Sequence, residues 1–428
     1  MASAAEQLAA NLNFGAFNKA TELKKRLWFT LGALIVYRLG TYIPLPGIDP
    51  VILQDIFRQQ AGGILGMFNM FAGGALGRMT IFALNIMPYI SAAIIMQLMT
   101  SISPSMNQLK KEGATGQKKI NQYTRYLTVL IASMQAYGIA VGIEGMQGSL
   151  GSAVVSPGAF FRFTTVVTLV GGTMFLMWLG EQITARGVGN GISLIIFAGI
   201  VAELPSALAG TLELGRTGAL SSGIITVILI MAVFVIYAIV FVERAQRRLV
   251  VQYPKRQQGN KMYGGESSHL PLKINTSGVI PLIFASSLLL MPTTVISFMA
   301  NTGPEWLTTV SSLLGRGQPS YLIIYSALIA FFAFFYTAVV FNPEETADNL
   351  KKHGGFIPGI RPGKNTAEYL EYVTTRLTVV GASYLVAVAL LPEILISQWS
   401  VPFFFGGTSL LIVVTVTLDT VAQVQSHM

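Results

Sequence analysis

Few residues in this chain could make or break bonds. It contains no cysteine, which removes disulfides, thiolate metal sites and cysteine nucleophiles, and its three histidines stand at His269, His353 and His427. No serine has a plausible histidine partner, and no acidic or histidine group has metal-ligand spacing. Two glycine patterns invite a nucleotide. Residues 359–365, GIRPGKN, lack the spacing and hydroxyl residue of a phosphate-binding loop, and residues 187–191, GVGNG, have no strand-turn-helix context, so both read as turns. What remains is a different set of features. Asn85-Ile86-Met87-Pro88 and Gly278-Val279-Ile280-Pro281 open two Pro-bearing apolar stretches, residues 62–78 are apolar and glycine-rich, and Lys and Arg gather in particular loops. Their chemistry is one of shape and charge: bending helices, closing or opening a path, attracting polyanions.

The elements that carry these residues are membrane helices. Hydrophobic residues make up 52% of the 428 and charged residues only 11%, against roughly 25% in soluble domains. Mean hydropathy is +0.60. The apolar residues form runs near 20 residues long, the length that ~30 Å of hydrocarbon requires of a helix rising ~1.5 Å per residue. Ten such spans are expected, at 27–43, 81–102, 123–143, 163–183, 192–208, 224–242, 276–299, 321–341, 373–391 and 403–424. A β-barrel would show short alternating segments, whereas these runs are continuously apolar. The first 20 residues lack the apolar core and cleavage site of a secretory signal, so the N-terminus is expected to be retained.

The net charge of +9 is less informative than its placement. Of the 28 Lys and Arg, all but Arg38, Arg58, Arg78, Arg162, Arg216 and Arg316 precede span one or follow spans two, four, six and eight. Basic residues in short loops stay cytoplasmic, so both termini and those loops are expected inside. The densest loops are 243–273 and 342–372.

The glycine-rich stretch between spans one and two is too short to cross a bilayer and is expected to be re-entrant or packed inside, as irregular backbone at membrane depth lines a cavity or is buried in protein. The Pro-bearing stretches fall in span two and span seven, each the second helix of a five-helix half, which points to inverted repeats with the working site between them. Arg38, Glu181, Glu243 and Asp419 fall at or near span ends, leaving no proton relay at the midplane. That argues for a passive pore driven by a partner, against a secondary transporter with a midplane ion site, and against an intramembrane protease, which needs paired Asp, a Ser with a base or a metal motif.

Five passages carry a resemblance: ALNIMPYISAAIIMQL, MWLGEQITARGVGNGISLIIFAGIV, VIPLIFASS, FNPEETADNLKKHGGFIPGIRPG and PFFFGGTSLLIVV. In these the chain resembles the SecY family, with similarity running from about Leu23 to Gln425. The resemblance implies an all-α membrane protein, a ten-helix clamshell of two pseudo-symmetric inverted halves around a central pore: a cytoplasmic segment 1–26, an N-terminal half 27–215 and a C-terminal half 216–428. It implies no enzyme activity and no cofactor, but a channel of the inner membrane that passes unfolded preproteins across and releases transmembrane segments sideways into lipid. Residues matching the family's aliphatic pore ring are Ile86, Ile90, Ile192, Ile196, Ile283 and Ile412. A narrow aliphatic ring offers water and ions no hydrogen bonds and so dewets.

By the same resemblance the plug covers about 64–78, including Ile64, Phe68, Asn69, Phe71, Gly73, Gly74 and Arg78. Glycine costs ~1 kcal/mol relative to Ala in a helix, so a weakly held segment is expected. The lateral gate would use Pro88, Ser91, Gln97, Asn275, Pro281, Ser286 and Ser287. Docking of the motor ATPase SecA and of the ribosome would use Arg247, Arg248, Lys255, Arg256, Lys261, Pro358, Gly359 and Arg361. Implied partners are SecE and SecG in a heterotrimer, SecA, the ribosome, signal peptides and nascent chains, SecD/SecF, YidC and membrane lipid. The chain departs from the family pattern at Asn85, where many relatives carry Gly, at Asn260, where relatives carry a basic residue, and at His427-Met428, where many continue into a basic tail.

Overall fold

Among the described residues, each of the ten apolar runs carries an α-helix. The computed structural model describes residues 21–53, 69, 72–145, 147–148, 151–217, 221–253, 256–258, 261–263, 267–299, 309, 313, 318–399 and 407–427. In chain order the helices are α1 (Thr21–Gly40), α2 (Met87–Ile102), α3 (Pro104–Lys111), α4 (Ala114–Gly145), α5 (Ala159–Arg186), α6 (Gly191–Arg216), α7 (Ser222–Arg244), α8 (Ile280–Met299), α9 (Pro319–Val340), α10 (Pro343–Lys352), α11 (Lys364–Trp399) and α12 (Gly407–His427). Among the described residues, seven helices are long and apolar enough to cross a membrane, and α2 and the Ile280–Leu289 part of α8 are shorter apolar helices.

Two expected spans begin later than the apolar pattern indicated. Span two was expected from 81 and span seven from 276, but α2 starts at Met87 and α8 at Ile280. The reason is proline. Pro88 and Pro281 each occupy the second helical residue, where a missing N–H leaves no helical bond unmade and the fixed φ favours initiation. The two prolines therefore start helices; they do not interrupt them.

The chain divides into two units, one of residues 1–213, 287–318 and 416–428, the other of residues 214–286 and 319–415. In the first, α4 and α5 form a packed pair, with α2 against α4 and α1 against α5. An ion pair ties α4 to α5 near each end: Arg125 donates to both oxygens of Glu181 at 3.0 and 2.7 Å, and Arg162 meets Glu144 at 2.6 Å.

In the second unit α11 packs against α9 and α10. Helix α10 is capped by Asn342, whose Oδ1 accepts from the Glu344 and Glu345 amides, with Pro343 at the first position and Lys351 and Lys352 in the last turn beside the dipole's negative end. Besides a short antiparallel pair between α4 and α5, β1 (Gln147–Gly148) with β2 (Gly151–Ser152), the basic loop after α7 folds into antiparallel strands, β3 (Gln246–Gln252) with β6 (Ser267–Lys273), and β4 (Arg256–Gln258) with β5 (Lys261–Tyr263). Its register places Arg247 opposite Leu272 and Arg248 opposite Pro271.

Candidate functional site

The glycine-rich stretch is a seated corner over its described part. Ala72, Ala75, Leu76 and Met79 are fully buried. Backbone bonds join Leu45 N to the Met79 carbonyl at 2.9 Å and Ile81 N to the Ile43 carbonyl at 3.1 Å, fixing the stretch to the turn after α1. The Phe82 ring stacks on Tyr37 of α1 and on Phe175 of α5, with centroids 6.2 and 5.8 Å apart. Gly73 and Gly74 have φ of +62° and +78°, and a Cβ at Gly73 would lie 3.0 Å from the Gly199 Cα of α6. Of the other expected plug residues, Asn69 accepts from the Gly77 amide at 2.6 Å, whereas Ile64, Phe68 and Phe71 lie outside the described residues. Glycine content alone predicted looser attachment than residues 72–80 have, because the glycines admit close backbone contact here.

A cluster of charge surrounds this corner. Arg38 Nη1 donates to the Gly73 carbonyl at 2.8 Å, and Arg78 Nη2 donates to the same oxygen at 2.9 Å. Both guanidinium groups lie over the Tyr42 ring, at 5.0 and 4.3 Å from its centroid, and Arg38 also donates to the Tyr42 hydroxyl at 2.9 Å. Glu203 of α6 completes the set, as a Cβ at Gly74 would meet Glu203 Oε1 at 2.5 Å and Arg78 Nη2 at 2.8 Å. Glu203 lies inside the fifth expected span and breaks the expectation that charges sit at span ends. A lone carboxylate in an apolar run was the signal that could have singled it out.

Of the expected ring residues, Ile86, Ile90, Ile196, Ile283 and Ile412 are buried and Ile192 is half-buried. Ile86, Ile90, Ile192 and Ile196 belong to the first unit and Ile283 and Ile412 to the second. Among the gate residues, Pro88, Ser91, Pro281, Ser286 and Ser287 are buried and Gln97 is half-buried. Ser287 Oγ donates to Met87 Sδ at 3.5 Å, a weak contact between α8 and α2. Ser286 turns back on its own helix, donating to the Leu282 carbonyl at 2.8 Å. Asn275 is 4% exposed and works locally: its amide donates to Glu243 Oε1 at 2.7 Å and to the Gly278 carbonyl at 3.1 Å, while its Oδ1 accepts from Ser277 at 3.0 Å.

The two basic loops come together. Gln252 of β3 exchanges both backbone bonds with Phe356, at 2.9 and 3.0 Å. Beneath them Leu249, Leu272, Ala347, Ile357, Ala367, Leu370 and Val373 form one apolar core. Arg247, Arg248, Pro358, Gly359 and Arg361 are exposed around it. Gly359 and Gly363 adopt φ of +82° and +108°, and Thr366 donates to the Arg361 carbonyl at 3.0 Å, so the loop that presents Arg361 is a braced turn. Arg256 and Lys261 fall on β4 and β5, and Lys255 lies outside the described residues.

These features meet their match in known proteins. The chain is 58% identical over 408 residues to the protein translocase subunit SecY of Escherichia coli strain K12, covering 95% of this chain and 92% of that protein. It is 56% identical over 409 residues to the subunit of the same name from Rickettsia typhi, covering 96% and 94%. Solved structures share the fold: a protein conducting channel at a TM-score of 0.68 and 17% identity, covering 95% of this chain and 92% of that one, and Sec61 in a canine ribosome-channel complex at 0.64 and 16%, with the same coverage. The SecY family model matches residues 80–421, and the chain belongs to the SecY family.

Proposed function

We propose that this chain is the central protein-conducting channel subunit of a Sec translocon, passing unfolded preproteins through the membrane and releasing apolar segments sideways into lipid. The observation that carries this reading is the 58% identity to a translocase subunit along 95% of the chain. The chain is a multi-pass membrane protein, and the charge pattern supports an inner-membrane orientation with both termini in the cytoplasm. It has no catalytic role in this reading; work comes from SecA or a docked ribosome, with SecE and SecG as the small subunits.

The roles divide along the features above. Ile86, Ile90, Ile192, Ile196, Ile283 and Ile412 make the aliphatic constriction, and the stretch 64–78 stoppers it. Helices α2 and α8 border the lateral exit, through which a signal peptide partitions because an apolar helix gains free energy in lipid. Arg247, Arg248 and Arg361 present positive charge on a shared, well-packed platform, which suits an acidic motor surface or polyanionic ribosomal RNA.

The test is import of a signal-bearing, unfolded precursor into vesicles holding this chain with SecE, SecG, SecA and ATP. Wild type is expected to import, and Arg361→Glu to abolish import while leaving the complex assembled. Failure of the wild-type complex while SecA is bound and consumes ATP would overturn the conduit reading. Deleting 64–78 is expected to raise the ion conductance of the resting complex, and unchanged conductance would remove the plug from it.

A further inference from the structure

The strongest unexplained feature is the charge around Gly73. Two guanidinium groups converge on one carbonyl oxygen, an arrangement that like-charge repulsion disfavours unless an anion stands close by. Glu203 is that anion, since its Oε1 and an Arg78 nitrogen both lie within 3 Å of the place a Gly74 side chain would fill. We propose that Arg38, Tyr42 and Glu203 are positioning residues that clasp Arg78 and the Gly73–Gly74 corner, holding residues 72–80 in their seat while the channel is closed. The proposal rests on the plug reading above and names the side chains that set how firmly the plug is held.

Three properties of the site fit a clasp that can open. Its contacts bring separate elements together: Arg38 and Tyr42 from α1 and the turn after it meet Arg78 and Gly73 from the seated stretch, with Glu203 of α6 beside them. Displacing the stretch breaks the Arg38 bond to the Gly73 carbonyl and lifts Arg78 off the Tyr42 ring together. The groups are only partly buried, and Tyr42 is 56% exposed, so water can take over each bond and opening leaves no stranded charge. Glycine is required at both corner positions, because a side chain at 73 meets Gly199 and one at 74 occupies the space shared by the charges. Arg38 and Arg78 are also two of the six basic residues that the charge pattern puts on the side away from the cytoplasm, where the resemblance places the plug.

The experiment measures resting ion conductance of the complex with SecE and SecG in planar bilayers, alongside hydrogen exchange of residues 72–80. Glu203→Gln and Arg38→Gln are each expected to raise resting conductance about two- to fivefold, the population shift that one partly exposed charged contact can hold, and to speed exchange at 72–80 alone. The reversed pair Arg78→Glu with Glu203→Arg is expected to bring conductance back toward wild type, which a merely misfolded variant would not do. Wild-type conductance and exchange in both single variants, alongside raised conductance on deleting 64–78, would overturn the clasp and leave the plug. If the deletion also leaves conductance unchanged, the plug reading fails, and the clasp as a closure device fails with it.

Discussion

The chain enters α2 and α8 by two routes that share a frame and differ in what secures them. In both, a residue of positive φ stands two positions before the helix and three before its proline: Asn85 at +49° ahead of Pro88, Gly278 at +61° ahead of Pro281. In both, a glycine on a packing helix admits a backbone carbonyl of the incoming stretch, Gly172 of α5 receiving Ile81 and Gly381 of α11 receiving Ile274. The first route is long and held by packing, with Phe82 stacked between two aromatic rings and bonds to the turn after α1. The second is short and held by polar bonds, Asn275 bridging to Glu243 at the end of α7. The same geometric task, turning the chain sharply into a Pro-headed helix, is thus met by close packing in one unit and by hydrogen bonding in the other.

The comparison breaks most visibly at Gly172. A Cβ there would overlap the Ile81 carbonyl oxygen, and backbone cannot rotate away as a side-chain tip can. Gly172→Ala is expected to cost about 3 kcal/mol, the upper range for overpacking, read as a fall in the melting temperature of the purified complex. Gly381→Ala meets Ile274 at 3.0 Å and should cost markedly less; equal losses would mean that the two seats are equally tight. Next in size is Asn275→Ala, which strips the amide donor from Glu243 and two further bonds from the second route. About 2 kcal/mol is expected, since three hydrogen bonds at a buried position are lost together. Asn275→Asp sharpens the point, because it keeps the shape but sets a second carboxylate against Glu243, and should destabilise at neutral pH and recover as pH falls.

These two seats mark the boundary of what the sequence discloses. Periodicity and run length located the helices, since burial in a bilayer demands continuous apolar length whatever the neighbours are. The helix starts differ from the apolar pattern because 81–86 stays mostly apolar and 276–279, TSGV, carries no charge to mark a boundary while the backbone at both turns, and only the position of Pro within a helix decides whether it interrupts or initiates. The departure at Asn85 was visible, and the structure supplies its reason: the position requires a left-handed residue, which Asn tolerates better than other side chains. Glu203 was open to notice as a charge in an apolar run, but its nearness to Arg78 across the Gly74 corner, far off in sequence, is a tertiary fact. The Asn275–Glu243 bond and the meeting of Gln252 with Phe356 likewise depend on packing that local pattern does not encode.

The smallest effects test the shared frame itself. Gly278 has open space where a Cβ would point, so Gly278→Ala isolates the backbone term, and a loss of about 1 kcal/mol is expected from left-handed strain alone. Asn85 poses the matching question from the other side. If its backbone angle is the whole requirement, Asn85→Gly should change stability by less than about 0.5 kcal/mol, since glycine's ease at positive φ is offset by its greater freedom when unfolded. Asn85→Ala should then lose about 1 kcal/mol, as Gly278→Ala does. A larger loss in Asn85→Gly than in Asn85→Ala would show that the buried amide, and not the φ angle, is what this position needs. The two routes would then differ in principle at the residue where they look most alike.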